Sequence, residues 1–124
     1  MTALLLVAAG GAIGASCRYA LGVWLGRLDL AGVPIPVLAA NVAGSLLMGL
    51  LVAALALRGG GEAWRLFAAV GLLGGFTTFS SFSLEAVLLW ERGEGAAALA
   101  YVAASVVLSI GGLIAGLVIG RSVF

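Results

Sequence analysis

The sequence is scarcely charged, has no histidine and no lysine, and carries a single cysteine. Each absence closes off a class of function. Without histidine, and with Cys17 alone for thiol chemistry, there is no ligand set for a zinc-type metal centre and no intrachain disulfide. All six basic residues are arginines, and the acids are Asp29, Glu62, Glu85, Glu91 and Glu94. The net charge of +1 offers no basic patch for nucleic acid. Charged residues make up 9% of the 124 residues and hydrophobic ones 64%, against about a quarter and about a half in soluble domains. Water is therefore not the main solvent of this chain.

What is present is apolar length. Leu4 to Leu25, Val33 to Leu57, Trp64 to Trp90 and Ala96 to Ile119 each exceed the ~20 residues that one bilayer crossing needs. The composition thus predicts an all-α membrane protein: one domain, 1–124, of four transmembrane helices. The first stretch lacks a positive leader region and is interrupted by Arg18, so it is expected to be a retained helix. Trp24, Trp64 and Trp90 fall where spans should end, the place where an apolar ring with one N–H is favoured.

Four spans put Arg58, Arg65 and Arg121 on one side of the membrane and Arg27 and Arg92 on the other. Orientation follows the Lys/Arg asymmetry of short loops, so this near tie predicts insertion both ways up, a dual topology. A singly oriented subunit, fixed by a partner or by Arg18, is the other reading of the same charges. One copy is too small to enclose a pathway and shows no internal repeat. Two oppositely inserted copies supply the symmetry that many transporters build from inverted halves.

Small residues recur four apart, as at Gly10 and Gly14, Gly71 and Gly75, and Gly112, Gly116 and Gly120. Such spacing lets helix backbones approach closely in lipid, which speaks for a bundle and not for a function. The third span differs, because its middle reads Gly71-Leu72-Leu73-Gly74-Gly75-Phe76-Thr77-Thr78-Phe79-Ser80-Ser81-Phe82-Ser83. A glycine pair followed by hydroxyls predicts a helix that breaks near residues 74–78. Broken backbone at membrane depth must be buried in protein or line a watery cavity, where freed carbonyls can hold a small cation. A kink whose hydroxyls bond back to the preceding turn accounts for the same residues.

Other polar groups are sparse. Asn41 and Ser45 lie one turn apart in the second span, and Tyr101, Ser105 and Ser109 form an i, i+4, i+8 row in the fourth. These amide and hydroxyl donors can replace part of an anion's hydration shell, or they can join helices at ~1 kcal/mol each. Phe79 and Phe82 share a helix face and offer ring edges of positive character, or simple packing. Arg18 can draw anions inward or snorkel to the nearer interface, and Glu85 is its candidate counter-charge or a vestibule residue. A proton-coupled small-molecule exporter, the alternative, needs a deep carboxylate, and the first two spans contain none.

Three segments, Gly10-Gly11-Ala12-Ile13-Gly14-Ala15-Ser16-Cys17-Arg18-Tyr19, Ala39-Ala40-Asn41-Val42-Ala43-Gly44-Ser45 and Gly74-Gly75-Phe76-Thr77-Thr78-Phe79-Ser80-Ser81-Phe82-Ser83, resemble the CrcB/Fluc fluoride channels. They fall on three spans in the family's order, and the resemblance covers the whole chain. It implies an antiparallel, dual-topology homodimer with two fluoride pores and a structural sodium ion at the dimer centre; membrane insertion without a cleavable signal separately points to the cell inner membrane. The implied sodium ligands are the main-chain carbonyls of Gly74 and Thr77. The implied fluoride pathway comprises Asn41, Phe79, Phe82, Tyr101, Ser105 and Ser109, with Arg18 near its entrance. Passive export of fluoride needs no catalytic residue. Two positions depart from the family pattern: Val37 stands where many relatives carry a threonine, four residues before the pore amide, and Leu73 stands where a cysteine is common.

Overall fold

The computed structural model describes residues 1–30 and 32–124. Four helical crossings account for almost all of them. Helix α1 spans Thr2–Leu25 and α2 spans Ile35–Arg58. Between them lies a hairpin of two short antiparallel strands, β1 (Asp29–Leu30) and β2 (Val33–Pro34), with Asp29 opposite Pro34 and Leu30 opposite Val33. Pro34 and Pro36 sit at the start of α2, where a missing N–H breaks no helical bond.

The third crossing is composite. One α-helical turn, α3 (Gly61–Trp64), leads into a π-helical segment, Arg65–Leu73, and then into α4 (Gly74–Phe76). Thr77 and Thr78 are extended, with φ/ψ of −81/157 and −151/119, before α5 (Phe79–Glu91) resumes the helix. Helix α6 (Gly95–Val123) makes the fourth crossing. All four crossings are long and apolar enough to span a membrane.

The break falls within the expected residues 74–78, at their C-terminal end rather than at the glycine pair itself. Gly74 keeps helical angles, φ −63 and ψ −34, and the chain leaves the helix only at Thr77. A glycine inside a helix costs only ~1 kcal/mol relative to alanine. Gly71 and Gly75 offset that cost by letting the third crossing lie backbone to backbone on Gly10 and Gly11 of α1. A Cβ at Gly75 would stand 2.8 Å from the Gly11 carbonyl oxygen, so no larger residue fits this seam. A second glycine seam joins α2 and α6, where Cβ atoms at Gly49 and Gly116 would run into the backbone carbonyls of Leu113 and Leu46. These two seams leave little room for a large side-chain core. The buried cluster is small, made of Leu38, Leu89, Ala98 and Tyr101. Large apolar residues such as Leu4, Val107 and Val118 face outward along the helices, a surface suited to lipid.

Candidate functional site

The extended pair Thr77–Thr78 is held from α2. The Thr78 N–H donates to Asn41 Oδ1 at 2.8 Å, and Asn41 Nδ2 donates to the Thr78 carbonyl at 3.1 Å. One side-chain amide therefore satisfies both main-chain groups of the residue that interrupts the helix, as a backbone partner in a sheet would. This is how the bundle tolerates non-helical backbone at depth. In an unbroken α-helix the Thr78 N–H would go to the Gly74 carbonyl, so Asn41 releases that oxygen.

Each neighbouring hydroxyl stabilises one side of the break. Thr77 Oγ1 donates to the Leu73 carbonyl at 3.2 Å, and the Thr77 amide reaches the same oxygen at 3.1 Å. Thr78 Oγ1 accepts from the Ser81 N–H at 3.2 Å, an N-cap on α5. Ser83 Oγ returns to the Phe79 carbonyl at 2.9 Å. Back-bonded hydroxyls and a true break thus coexist.

Beside the break lies a cavity of about 300 Å³, lined by Asn41, Ser45, Thr77, Thr78, Phe79, Phe82, Ser105, Val106, Ser109 and Ile110. Of the seven residues expected on the fluoride pathway, five meet here: Asn41, Phe79, Phe82, Ser105 and Ser109. Ser105 Oγ and Ser109 Oγ are buried and find no hydrogen-bond partner among the described residues. Buried hydroxyls in that state are the exception in folded proteins, and both are on the wall of this cavity. The rings of Phe79 and Phe82 lie 5.4 Å apart at 59°, and Phe82 lies 5.4 Å from Tyr101 at 44°. Tyr101 is fully buried behind Phe82 and not on the cavity wall. Its hydroxyl donates to Glu85 Oε2 at 2.9 Å.

Arg18 stands apart from the cavity wall. Its Nε donates to the Gly75 carbonyl at 3.4 Å, so it turns toward the third crossing rather than away to the interface. Glu85 is not its counter-charge, since the carboxylate is held by Tyr101 on α6. Gly74 and Thr77 bracket the point where the ladder opens. Gly74 is exposed on the single chain, and a Cβ there would meet only its own Ala69 carbonyl, at 3.6 Å.

Sequence reasoning missed the pair of hydrogen bonds between Asn41 and Thr78, although an amide at mid-membrane signals them, because such a group must find partners inside the protein. It also missed the π-helical run. Residues 65–73 read Arg-Leu-Phe-Ala-Ala-Val-Gly-Leu-Leu, apolar at every position but the first, so their pattern fits either helical pitch.

A family model described as "CrcB-like protein, Camphor Resistance (CrcB)" matches residues 5–117. A protein of Paracoccus denitrificans (strain Pd 1222) named fluoride-specific ion channel FluC is 53% identical over 120 residues, covering 97% of this chain and 95% of its own length. A relative of the same name from Caulobacter sp. (strain K31) is 52% identical over an alignment of 126 residues, with 100% of this chain and 98% of its own length covered. Another, from Agrobacterium fabrum (strain C58 / ATCC 33970), is 50% identical over 125 residues and covers both chains completely.

Proposed function

The chain belongs to the CrcB-like family, and from that membership we propose that it is a fluoride-selective ion channel of the cell inner membrane, exporting fluoride from the cytoplasm and lowering its toxicity. The observation that carries the reading is the pair of buried hydroxyls, Ser105 Oγ and Ser109 Oγ, that reach the cavity without a hydrogen-bond partner among the described residues. A hydroxyl left unpaired in an apolar setting costs ~1–3 kcal/mol, which an acceptor passing through the cavity offsets. Fluoride is such an acceptor: small, hard, and without a proton to donate.

The physical task is to replace a tightly held hydration shell with donors fixed in advance, weakly enough that the ion leaves again. Asn41 Nδ2 carries two N–H groups; one goes to the Thr78 carbonyl, and the other is free to face the ion. Ser105 and Ser109 add two O–H donors one helical turn apart on α6. The edges of Phe79 and Phe82 contribute partial positive charge to a wall that is otherwise apolar. Arg18, close to the break, biases the entrance toward anions. Tyr101 fixes the Phe82 ring from behind.

The channel works as an antiparallel homodimer with dual topology. The near tie of loop arginines supports this, as does Phe79, which is 79% exposed on the single chain although it lines the cavity. Reporters fused to the C-terminus and read on both sides of the membrane test the orientation. The residues at the break fit a sodium ion shared by two copies: the Gly74 carbonyl loses its helical donor, Thr77 is extended, and Gly74 is open to a second chain. Gly74 and Thr77 would hold sodium through these carbonyls, and its charge would join the two breaks. Fluoride flux through reconstituted protein should fall in the double variant Ser105→Ala/Ser109→Ala, and flux equal to that of the parent would remove the hydroxyls from the pathway.

A further inference from the structure

Asn41 reaches from α2 to both halves of the site. Its amide closes two hydrogen bonds on the main chain of Thr78, 2.8 and 3.1 Å, and the same side chain lines the cavity with Ser105 and Ser109. By taking the Thr78 N–H it frees the Gly74 carbonyl, a group oriented by the break. Phe79 follows Thr78 directly, and the Thr78 hydroxyl caps the helix that carries both phenylalanines. A shift of Thr78 therefore moves the carbonyl set on one side and the aromatic wall on the other.

From this geometry we infer that Asn41 is a positioning residue that couples the cation-holding break of the third crossing to the anion pathway, in addition to donating to the passing ion. The inference rests on the fluoride-channel reading and deepens it. A planar amide suits the task because it accepts and donates side by side, matching the adjacent N–H and C=O of one residue. A serine hydroxyl donates and accepts through one oxygen on a shorter stem, so it cannot meet the two groups side by side. The Ser105 and Ser109 hydroxyls, by contrast, make no hydrogen bond to the main chain of the break and serve the pathway alone.

The test compares Asn41→Ala with Ser105→Ala in the full chain, by hydrogen exchange at the Thr78 amide and by fluoride flux measured as sodium is titrated. Asn41→Ala should speed exchange at Thr78 by ~10-fold or more and raise the sodium concentration for half-maximal flux by a similar factor, because the amide that ordered the carbonyls is gone. Ser105→Ala should lower flux while leaving both of those readouts at parental values. If Asn41→Ala does not assemble, Asn41→Ser gives the same two readouts, since its short side chain cannot span both Thr78 groups. Parental exchange and an unchanged sodium midpoint in the Asn41 variants, with flux reduced, would make Asn41 a pathway ligand only and overturn the coupling. Parental protein that needs no sodium would overturn it too. Parental protein with a protected Thr78 amide but no fluoride flux would instead sink the channel reading.

Discussion

The hydroxyl of Tyr101 on α6 donates to the carboxylate of Glu85 on α5 across 2.9 Å, and this bond lies directly behind the aromatic wall of the cavity. It joins two crossings that otherwise meet through apolar contacts. Tyr101→Phe should keep the ring contact with Phe82 while leaving Glu85 without this donor, at a stability loss of about 1–3 kcal/mol. Glu85→Gln should be milder, since an amide oxygen still accepts. Thermal unfolding in detergent reads both, and a Tyr101→Phe variant as stable as the parent would contradict the assignment.

The glycine seams make a sharper stability prediction. A Cβ at Gly14 would collide with the Leu72 carbonyl and stand 2.9 Å from the Phe76 amide nitrogen, all of it backbone. Gly14→Ala should therefore separate α1 from the third crossing or destabilise it by about 1–3 kcal/mol. Gly22, on the same helix, has nothing within 4 Å of a built Cβ, so Gly22→Ala should be neutral or slightly stabilising. Equal yields and melting temperatures for the two variants would refute the seam.

Phe79→Ile and Phe82→Ile keep apolarity and approximate volume, but each removes a ring edge from the cavity. Folded protein should be recovered in both cases, with fluoride flux reduced. Parental flux in both variants would return the two rings to a packing role.

Gly74 and Thr77 separate backbone from side-chain effects. Gly74→Val should leave the single chain folded, because a Cβ there meets nothing closer than 3.6 Å, yet it should disrupt pairing of two copies across that exposed face. Thr77→Ser should be mild, since a serine hydroxyl can still reach the Leu73 carbonyl. Size-exclusion chromatography and flux measure both, and a fully active Gly74→Val dimer would exclude shared carbonyl ligation at this point.

The architecture was legible because membrane spans are written in composition: 64% hydrophobic residues, with tryptophans at three boundaries, leave few alternatives. The site was legible in its residue types, and Asn41, Ser105, Ser109, Phe79 and Phe82 do converge on one cavity. The location of the break was less so. Propensity bounded it only to residues 74–78; close packing on α1 keeps Gly74 and Gly75 helical, and a tertiary hydrogen-bond pair from Asn41 fixes the break at Thr77–Thr78. Such a pairing spans 37 residues and leaves no mark in local sequence. The partner of Glu85 was hidden for the same reason, as was the π-helical pitch of a uniformly apolar run.

The most direct measurement is fluoride efflux from liposomes containing the purified protein, followed with a fluoride electrode while potassium is shunted by an ionophore and no proton gradient is imposed. A passive, selective channel should release trapped fluoride rapidly and leave trapped chloride behind, with no stimulation by an inward proton gradient. Efflux no faster than from protein-free liposomes, or efflux that appears only when protons are driven inward, would contradict the account.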